Sequence, residues 1–374
     1  MATMDLNLLE ALSSSFGPSG HEVEPLRLVK QAAEPYTDEF LTTGLQSLVF
    51  TKKGRAEAPR VLIAGHADEI GFVVSGMEKG FLTFWQLGGW WDQTLLSTRV
   101  IVRTSKGDLI DGIICAKPPH IVDPEERKSV VTKDKMYIDV GCTSNEELKE
   151  LGIRMGDPVV PHSEFQILNR KRIKKSENGG ETETQEVQLA LGKAFDNRVG
   201  CFIALEVLKR LGSDHPNTYY GAATTQEEVG LRGARTTAGL VQPDVAFALD
   251  VDISGDVPGV PPTKAPTKMS AGVSIVTYDG SMIPNPRLLE FAVQTAEENN
   301  IEYQFSHLRG GGTDAGVFQF TGVGCPSLTL NVSTRHIHSP YGYIDLADVE
   351  ATINLCVAML KKLDAATVQS FTEI

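Results

Sequence analysis

Residues 70–160 break the pattern of the rest of the chain, and that break limits the fold more than any other feature. On either side of it, apolar runs of strand length alternate with helical stretches. RVLIAG (60–65), TYYGAATT (218–225), VAFAL (245–249) and CPSLTLNV (325–332) read as strands, and 199–211, 286–298 and 346–363 read as helices. Such alternation builds an α/β domain with a mostly parallel sheet. Inside the break, IGFVV, FLTFW, TRVIVRT, LIDGIICA and MYIDV follow one another with turn residues between them. Short strands at that spacing read as a small barrel or sandwich. One short helix is expected there, at 144–151, where Ser144 and Glu147 have capping-box spacing. The fold expected is α/β: a mostly parallel-sheet domain interrupted by a small β-barrel-like domain. The division expected is 1–73 with 165–374 for the first and 74–164 for the second.

Charge and cysteine content narrow the function classes. The chain has 374 residues, with 35 Lys and Arg against 48 Asp and Glu, a net charge of −13. That excess of acid argues against nucleic acid as a partner, since phosphate backbones are bound by clustered cations. No apolar run reaches the ~18–20 residues of a membrane span. The opening MATMDLNLLEALSSS reads as an amphipathic helix capped by Asp5, not as a signal peptide. Cys115, Cys142, Cys201, Cys325 and Cys356 are odd in number and contain no Cys-x-x-Cys, so the expected setting is a reducing cytoplasm. The charged run at 170–186 reads as a solvated loop or hairpin.

Ligand-type residues recur where strands end. His66 closes the RVLIAG strand, and Asp68 is two residues on, on the same face if the chain stays extended. The pair is either a metal ligand with its supporting carboxylate or a structural pair at a strand end. Glu227 and Glu228 follow the next strand; adjacent carboxylates repel unless a cation or water separates them, and the alternative is an exposed acidic turn. Asp196 opens the helix through 199–211, either as an N-cap or as a carboxylate shared by two metals. Asp250 is read as the first residue past VAFAL, with Asp252 and Asp256 as turn formers behind it. His336 and His338 follow the last strand, two residues apart, and both are candidate ligands. In an open α/β sheet the carboxyl ends of the strands form the rim where ligands collect. A thiolate-free set of histidines and carboxylates suits zinc, cobalt or manganese. It exceeds what one tetrahedral ion needs, so two ions sharing a carboxylate is the natural count. The run GGGTDAG at 310–316 lacks the ending of a phosphate loop. It brings backbone close to a substrate or is a plain tight turn.

HADEIGF (66–72), GKAFDNRVG (192–200), TTQEEVGLRGA (224–234), LDVDISGDVPG (249–259), GGTDAG (311–316) and RHIHSP (335–340) together resemble the tetrahedral (TET) aminopeptidases. These are also called glutamyl or deblocking aminopeptidases, and some members carry a cellulase label. The resemblance spans nearly the whole chain. It implies a dinuclear metallo-exopeptidase acting on short peptides, with zinc or cobalt, or else manganese. It also implies a barrel-like insertion that serves dimerisation, and dimers that assemble into a tetrahedral dodecamer. Carried onto this chain, it implies His66 and Asp250 on one metal, Glu228 and His338 on the other, and Asp196 between them. It further implies Glu227 as general base and Asp68 as support for His66. Thr313 and Asp314 would shape the site. Asp252 departs from the small polar residue usual there and adds charge. The charged stretch at 170–186 leaves the end of the insertion open. The rival readings are a two-metal carboxypeptidase or deacylase, a glycoside hydrolase and a non-catalytic assembly protein. The side chain that the enzyme would prefer stays open: a basic pocket would select Glu or Asp, an acidic one Lys or Arg, an apolar one Leu.

Overall fold

Capping starts the chain. In the computed structural model, which describes residues 4–174 and 183–373, Asp5 accepts from the Leu8 N–H at 3.1 Å and begins helix α1 (Leu6–Ser14). Helix α2 (Val23–Ala33) buries Leu26, Val29 and Ala33 along one face. Strands β1 (Glu39–Thr42), β2 (Leu48–Lys53) and β3 (Arg60–His66) follow. The strand expected at 45–51 is therefore β2, displaced toward its C-terminal side by the turn before it. Beyond β3, six strands close into a barrel: β4 (Gly71–Glu78), β5 (Phe81–Leu87), β6 (Arg99–Arg103), β7 (Leu109–Ala116), β8 (Met136–Asp139) and β9 (Pro158–Pro161). Their order is β4-β5-β8-β7-β6-β9. Strand β9 was not legible, because proline at both ends conceals it; it joins β4 to β6 and closes the cylinder. Phe72 packs against both Phe84 and Trp90 in a core of the barrel's own. The helix expected near 144 is α3 (Asn145–Glu150). Ser144 caps it through the Glu147 N–H, but the Glu147 carboxylate turns to Thr143 instead of completing the box.

Strands β10 (Gln166–Lys174) and β11 (Glu183–Gly192) pair antiparallel, so the charged run forms part of a hairpin stem; its residues 175–182 lie outside the described residues. Helix α4 (Phe195–Leu211), β12 (Thr218–Thr224), α5 (Arg232–Val241), β13 (Val245–Ile253), β14 (Val273–Tyr278), α6 (Pro286–Glu298), β15 (Tyr303–His307), α7 (Ala315–Phe318), β16 (Ser327–Thr334), β17 (Gly342–Asp345), α8 (Leu346–Lys362) and α9 (Ala365–Ser370) complete the chain. The large sheet runs β1-β2-β12-β3-β13-β16-β14-β15. Its centre, β12-β3-β13-β16, is parallel, and β2 and β14 flank that centre antiparallel. Helices α1, α2, α4, α6 and α8 cover one face, and α5 and α7 the other.

Helix α4 is buried almost all round, which is why its sequence carries little amphipathic signal. It lies so close to β3 that a Cβ on Gly65 would come within 2.4 Å of the Gly200 carbonyl carbon. Two glycines facing each other bring the start of α4 against the end of β3. Among the described residues, no helix is long and apolar enough to cross a membrane. The five cysteines are free thiols.

Candidate metal centre

Parallel pairing brings the carboxyl ends of β3, β12, β13 and β16 to one rim. His66 is the last residue of β3 and lies opposite Thr224 of β12. Asp250 sits inside β13 and not past it: β16 runs alongside, Asp250 against Asn331, so pairing holds β13 extended to Ile253. Neighbouring-strand hydrogen bonds are invisible to a one-chain reading of VAFAL. Beyond β12, Gln226 takes a positive φ of 55° and turns the chain. Asp68 then fixes the turn, its Oδ1 accepting from the Glu227 N–H at 3.0 Å and its Oδ2 from the Glu228 N–H at 3.1 Å. Ser19 Oγ donates to the same Oδ2 at 2.6 Å.

The two histidines face the same carboxylate. His338 Nδ1 is 2.7 Å from the Gly89 carbonyl, which only accepts, so Nδ1 donates there and Nε2 is the nitrogen turned toward the cavity. A Cβ on Gly89 would fall 2.9 Å from that nitrogen, so only glycine lets the backbone come this near. His66 Nδ1 likewise meets the Asp68 carbonyl at 3.1 Å, leaving Nε2 toward the cavity. Asp196 lies between them, with Oδ1 3.0 Å from His66 Nε2 and Oδ2 3.2 Å from His338 Nε2. Capping is not its role. Ala194 occupies the cap position, and Asp196 and Asn197 depart from helical angles. Asn197 anchors that departure, donating to Leu249 O at 2.6 Å and accepting from the Gly200 N–H at 3.0 Å. Two donor groups result, His66–Asp196–Asp250 and Asp196–Glu228–His338, each with ligand atoms within 4.8 Å of one another. Asp196 belongs to both. Glu227 belongs to neither, and its Oε2 is 3.8 Å from His66 Nε2.

The protonation pattern indicates a deficit of positive charge. Burial, reinforced by neighbouring acids, drives the Glu227 and Asp250 carboxyls well above the usual carboxylate range. Burial and Asp196 push Glu228 up to about 8. Burial works the same way on Asp196, yet the two facing imidazoles hold it below that range. Burial also disfavours charged imidazoles. Even so, Glu227, Asp196 and Asp68 raise His66 well above its ordinary value, and Asp196 and Glu228 raise His338 to about 10. Among the described residues the buried Glu228 Oε1 has no hydrogen-bond partner. Three carboxyls raised by burial around the ionised Asp196, with an orphaned oxygen among them, fit divalent cations, which hold such acids ionised.

Other candidates lie apart from the two groups. His336 packs edge-on to Tyr343. Asp256 accepts from Arg335 and Ser254. Asp252 accepts from Ser274 Oγ at 2.7 Å on the cavity wall. Thr313 shares a hydrogen bond with Thr329, and Asp314 accepts from Thr224 beneath His66. The cavity above the rim has a volume of about 630 Å³.

Three residues inside the recognised motifs had escaped notice. Glu69 is gripped by Lys193 Nζ at 2.6 and 2.7 Å and approached by Arg198 Nη2 at 3.4 Å, all three buried. Lys193 and Arg198 flank Asp196 in the chain, so this ion cluster ties the segment carrying Asp196 to the loop after His66. Charged residues closely flanking His66 and Asp196 were the only available signal. Replacing Lys193 with Met is expected to destabilise the fold by about 3–5 kcal/mol, since it leaves Glu69 short of its nearer cation. Urea unfolding reads this out, and a loss below about 1 kcal/mol would contradict it.

The chain is similar to known proteins over nearly its whole length. Residues 46–177 and 179–355 match the family described as M42 glutamyl aminopeptidase. The putative aminopeptidase FrvX of Escherichia coli (strain K12) is 35% identical over 371 residues, 99% of each chain. The TET aminopeptidase of the marine sediment archaeon Thaumarchaeota archaeon SCGC AB-539-E09 is 49% identical, with a TM-score of 0.91 over 98% of each chain. The Pyrococcus horikoshii TET1 peptidase, which can assemble into a tetrahedron or a large octahedral shell, is 29% identical. Its TM-score is 0.79, over 96% of this chain and 99% of its own.

Proposed function

The chain belongs to the M42 glutamyl aminopeptidase family, and from that premise we propose that it is a two-metal aminopeptidase releasing N-terminal residues from short peptides. The observation that carries the reading is the pair of donor groups sharing Asp196, with Glu227 beside them and outside both. His66 and Asp250 would hold one cation, Glu228 and His338 the other, and Asp196 would bridge. Zinc or cobalt suits these donors best, and manganese is also accommodated. When bound, the cations would polarise the scissile carbonyl and lower the pKa of a water from about 15.7 toward neutrality.

The chain's own residues do the rest. Glu227 takes the proton of the attacking water and passes it to the leaving amine. Its position outside both donor groups, with Oε2 3.8 Å from His66 Nε2, leaves the carboxylate available for that transfer. Asp68 sets the imidazole of His66 and, through the two N–H groups it binds, the turn that presents Glu227 and Glu228. The substrate's free amine docks among the acidic groups of the cavity.

For assembly, Trp85, Trp91 and Ile121 stand exposed on the inserted segment. With the assembly of the Pyrococcus relative, this supports the insertion, expected at 74–164 but with its first barrel strand starting at Gly71, as a dimerisation unit and dimers as the building block of a larger shell.

The test compares a peptide with its N-acetylated form, before and after exhaustive chelation. Hydrolysis of the free-amine form alone, lost on chelation and restored by zinc, cobalt or manganese, is expected. Equal cleavage of both forms would favour a carboxypeptidase or deacylase instead. Activity that survives chelation would favour a glycosidase-type pair of carboxylates.

A further inference from the structure

The wall of the cavity carries acid beyond what the metal centre uses. Asp252 and Asp279 line it in addition to Asp196, Glu227, Glu228 and Asp250, and among the described residues no Lys or Arg does. Asp252 is two residues beyond Asp250 on β13, so it projects from the same face, farther out along the strand. Both its oxygens are engaged, by the Ile253 N–H and by Ser274 Oγ. Asp279, in the turn after β14, differs. Its Oδ1 accepts three bonds, from the Ser281 N–H at 2.6 Å, Ser281 Oγ at 2.7 Å and the Met282 N–H at 2.8 Å. Its Oδ2 is buried with no partner among the described residues, in a residue only 8% exposed. Buried carboxylate oxygens in native structures usually have a donor, so an unmatched one on a cavity wall is a place for an external donor to fill. Ile253, Val276 and Leu308 provide apolar wall in the same cavity, and Ser306 a hydroxyl.

We propose that this wall receives the side chain of the substrate's first residue and selects a cation, Lys or Arg, with Asp279 as the main determinant and Asp252 beside it. The inference rests on the aminopeptidase reading above. Lysine and arginine combine an apolar stem with a cationic head, which matches a pocket with apolar sides and carboxylates. An acidic first residue would meet two like charges there and find no counter-ion. A leucine would fill the apolar part and leave Asp279 Oδ2 bare.

The experiment uses the metal-reconstituted full chain and the p-nitroanilides of Lys, Arg, Leu and Glu. For the wild type, kcat/KM is expected to be about ten-fold or more higher for Lys and Arg than for Leu, with Glu last, the weight of one charge-assisted bond. Asp279→Asn should lower the Lys:Leu ratio ten-fold or more, and Asp252→Asn should lower it in the same direction. A ratio does not depend on how much of a variant folds, so loss of active protein cannot imitate the result. Leu or Glu as the best wild-type substrate would overturn the cation pocket while leaving the aminopeptidase reading intact. An unchanged ratio in both variants would do the same. Failure to hydrolyse any free-amine substrate would overturn both.

Discussion

Glu227→Gln is expected to lower kcat by about 10²–10⁴-fold while metal content stays at the wild-type level, the usual weight of a positioned general base. The two parts of that result have separate origins. Glutamine has nearly the shape of glutamate, so the turn that Asp68 holds through the Glu227 and Glu228 N–H groups keeps its backbone bonds. Glu227 also lies outside both donor groups, so its replacement removes no ligand. An amide cannot take up the water's proton, and Asp196, Glu228 and Asp250 are themselves committed to the ligand groups. Metal analysis and single-turnover hydrolysis of the same preparation read out the two parts. Wild-type turnover at full metal occupancy would remove Glu227 from the role. Loss of metal together with activity would make it a ligand.

Asp196→Asn has the largest expected effect on the metal centre itself. Its two oxygens face two different histidines at 3.0 and 3.2 Å, and it alone appears in both donor groups. An amide offers one oxygen and no charge, so one of the two groups must lose a ligand. Metal content is expected to fall below that of the wild type after dialysis. Activity should fall by about 10³-fold, the several kcal/mol that metal polarisation supplies. Asn197, which anchors the segment, is untouched, so the far-UV circular dichroism should match the wild type. Retention of wild-type metal content and rate would show that Asp196 is not shared.

Much of this was legible because the signals are local. Apolar runs of strand length and helices such as Pro286–Glu298 depend on near neighbours in the chain, and the structure has them within a few residues of expectation. Most ligand-type residues were visible because they follow an apolar run, and Asp196 because it precedes one. What was not legible depended on partners far away in sequence. Strand β13 extends to Ile253 only because β16 pairs with it. Strand β9 exists only because β4 and β6 flank it. Asp196 read either as a helix cap or as a shared carboxylate, because the bond from Asn197 to Leu249, 52 residues on, that anchors its departure from the helix has no local signature. The Glu69–Lys193–Arg198 cluster joins side chains more than a hundred residues apart.

The amino-acid sequence by itself determined the α/β class, the interrupted organisation and the residue types able to hold metal, because pattern and side-chain chemistry belong to single segments. Tertiary structure decided which nitrogens turn toward the cavity, which carboxylate lies between two histidines, which glutamate stays outside the donor groups and which acids line the wall. Those are distances and burials created when strands from opposite ends of the chain pair, and no property of a segment in isolation contains them.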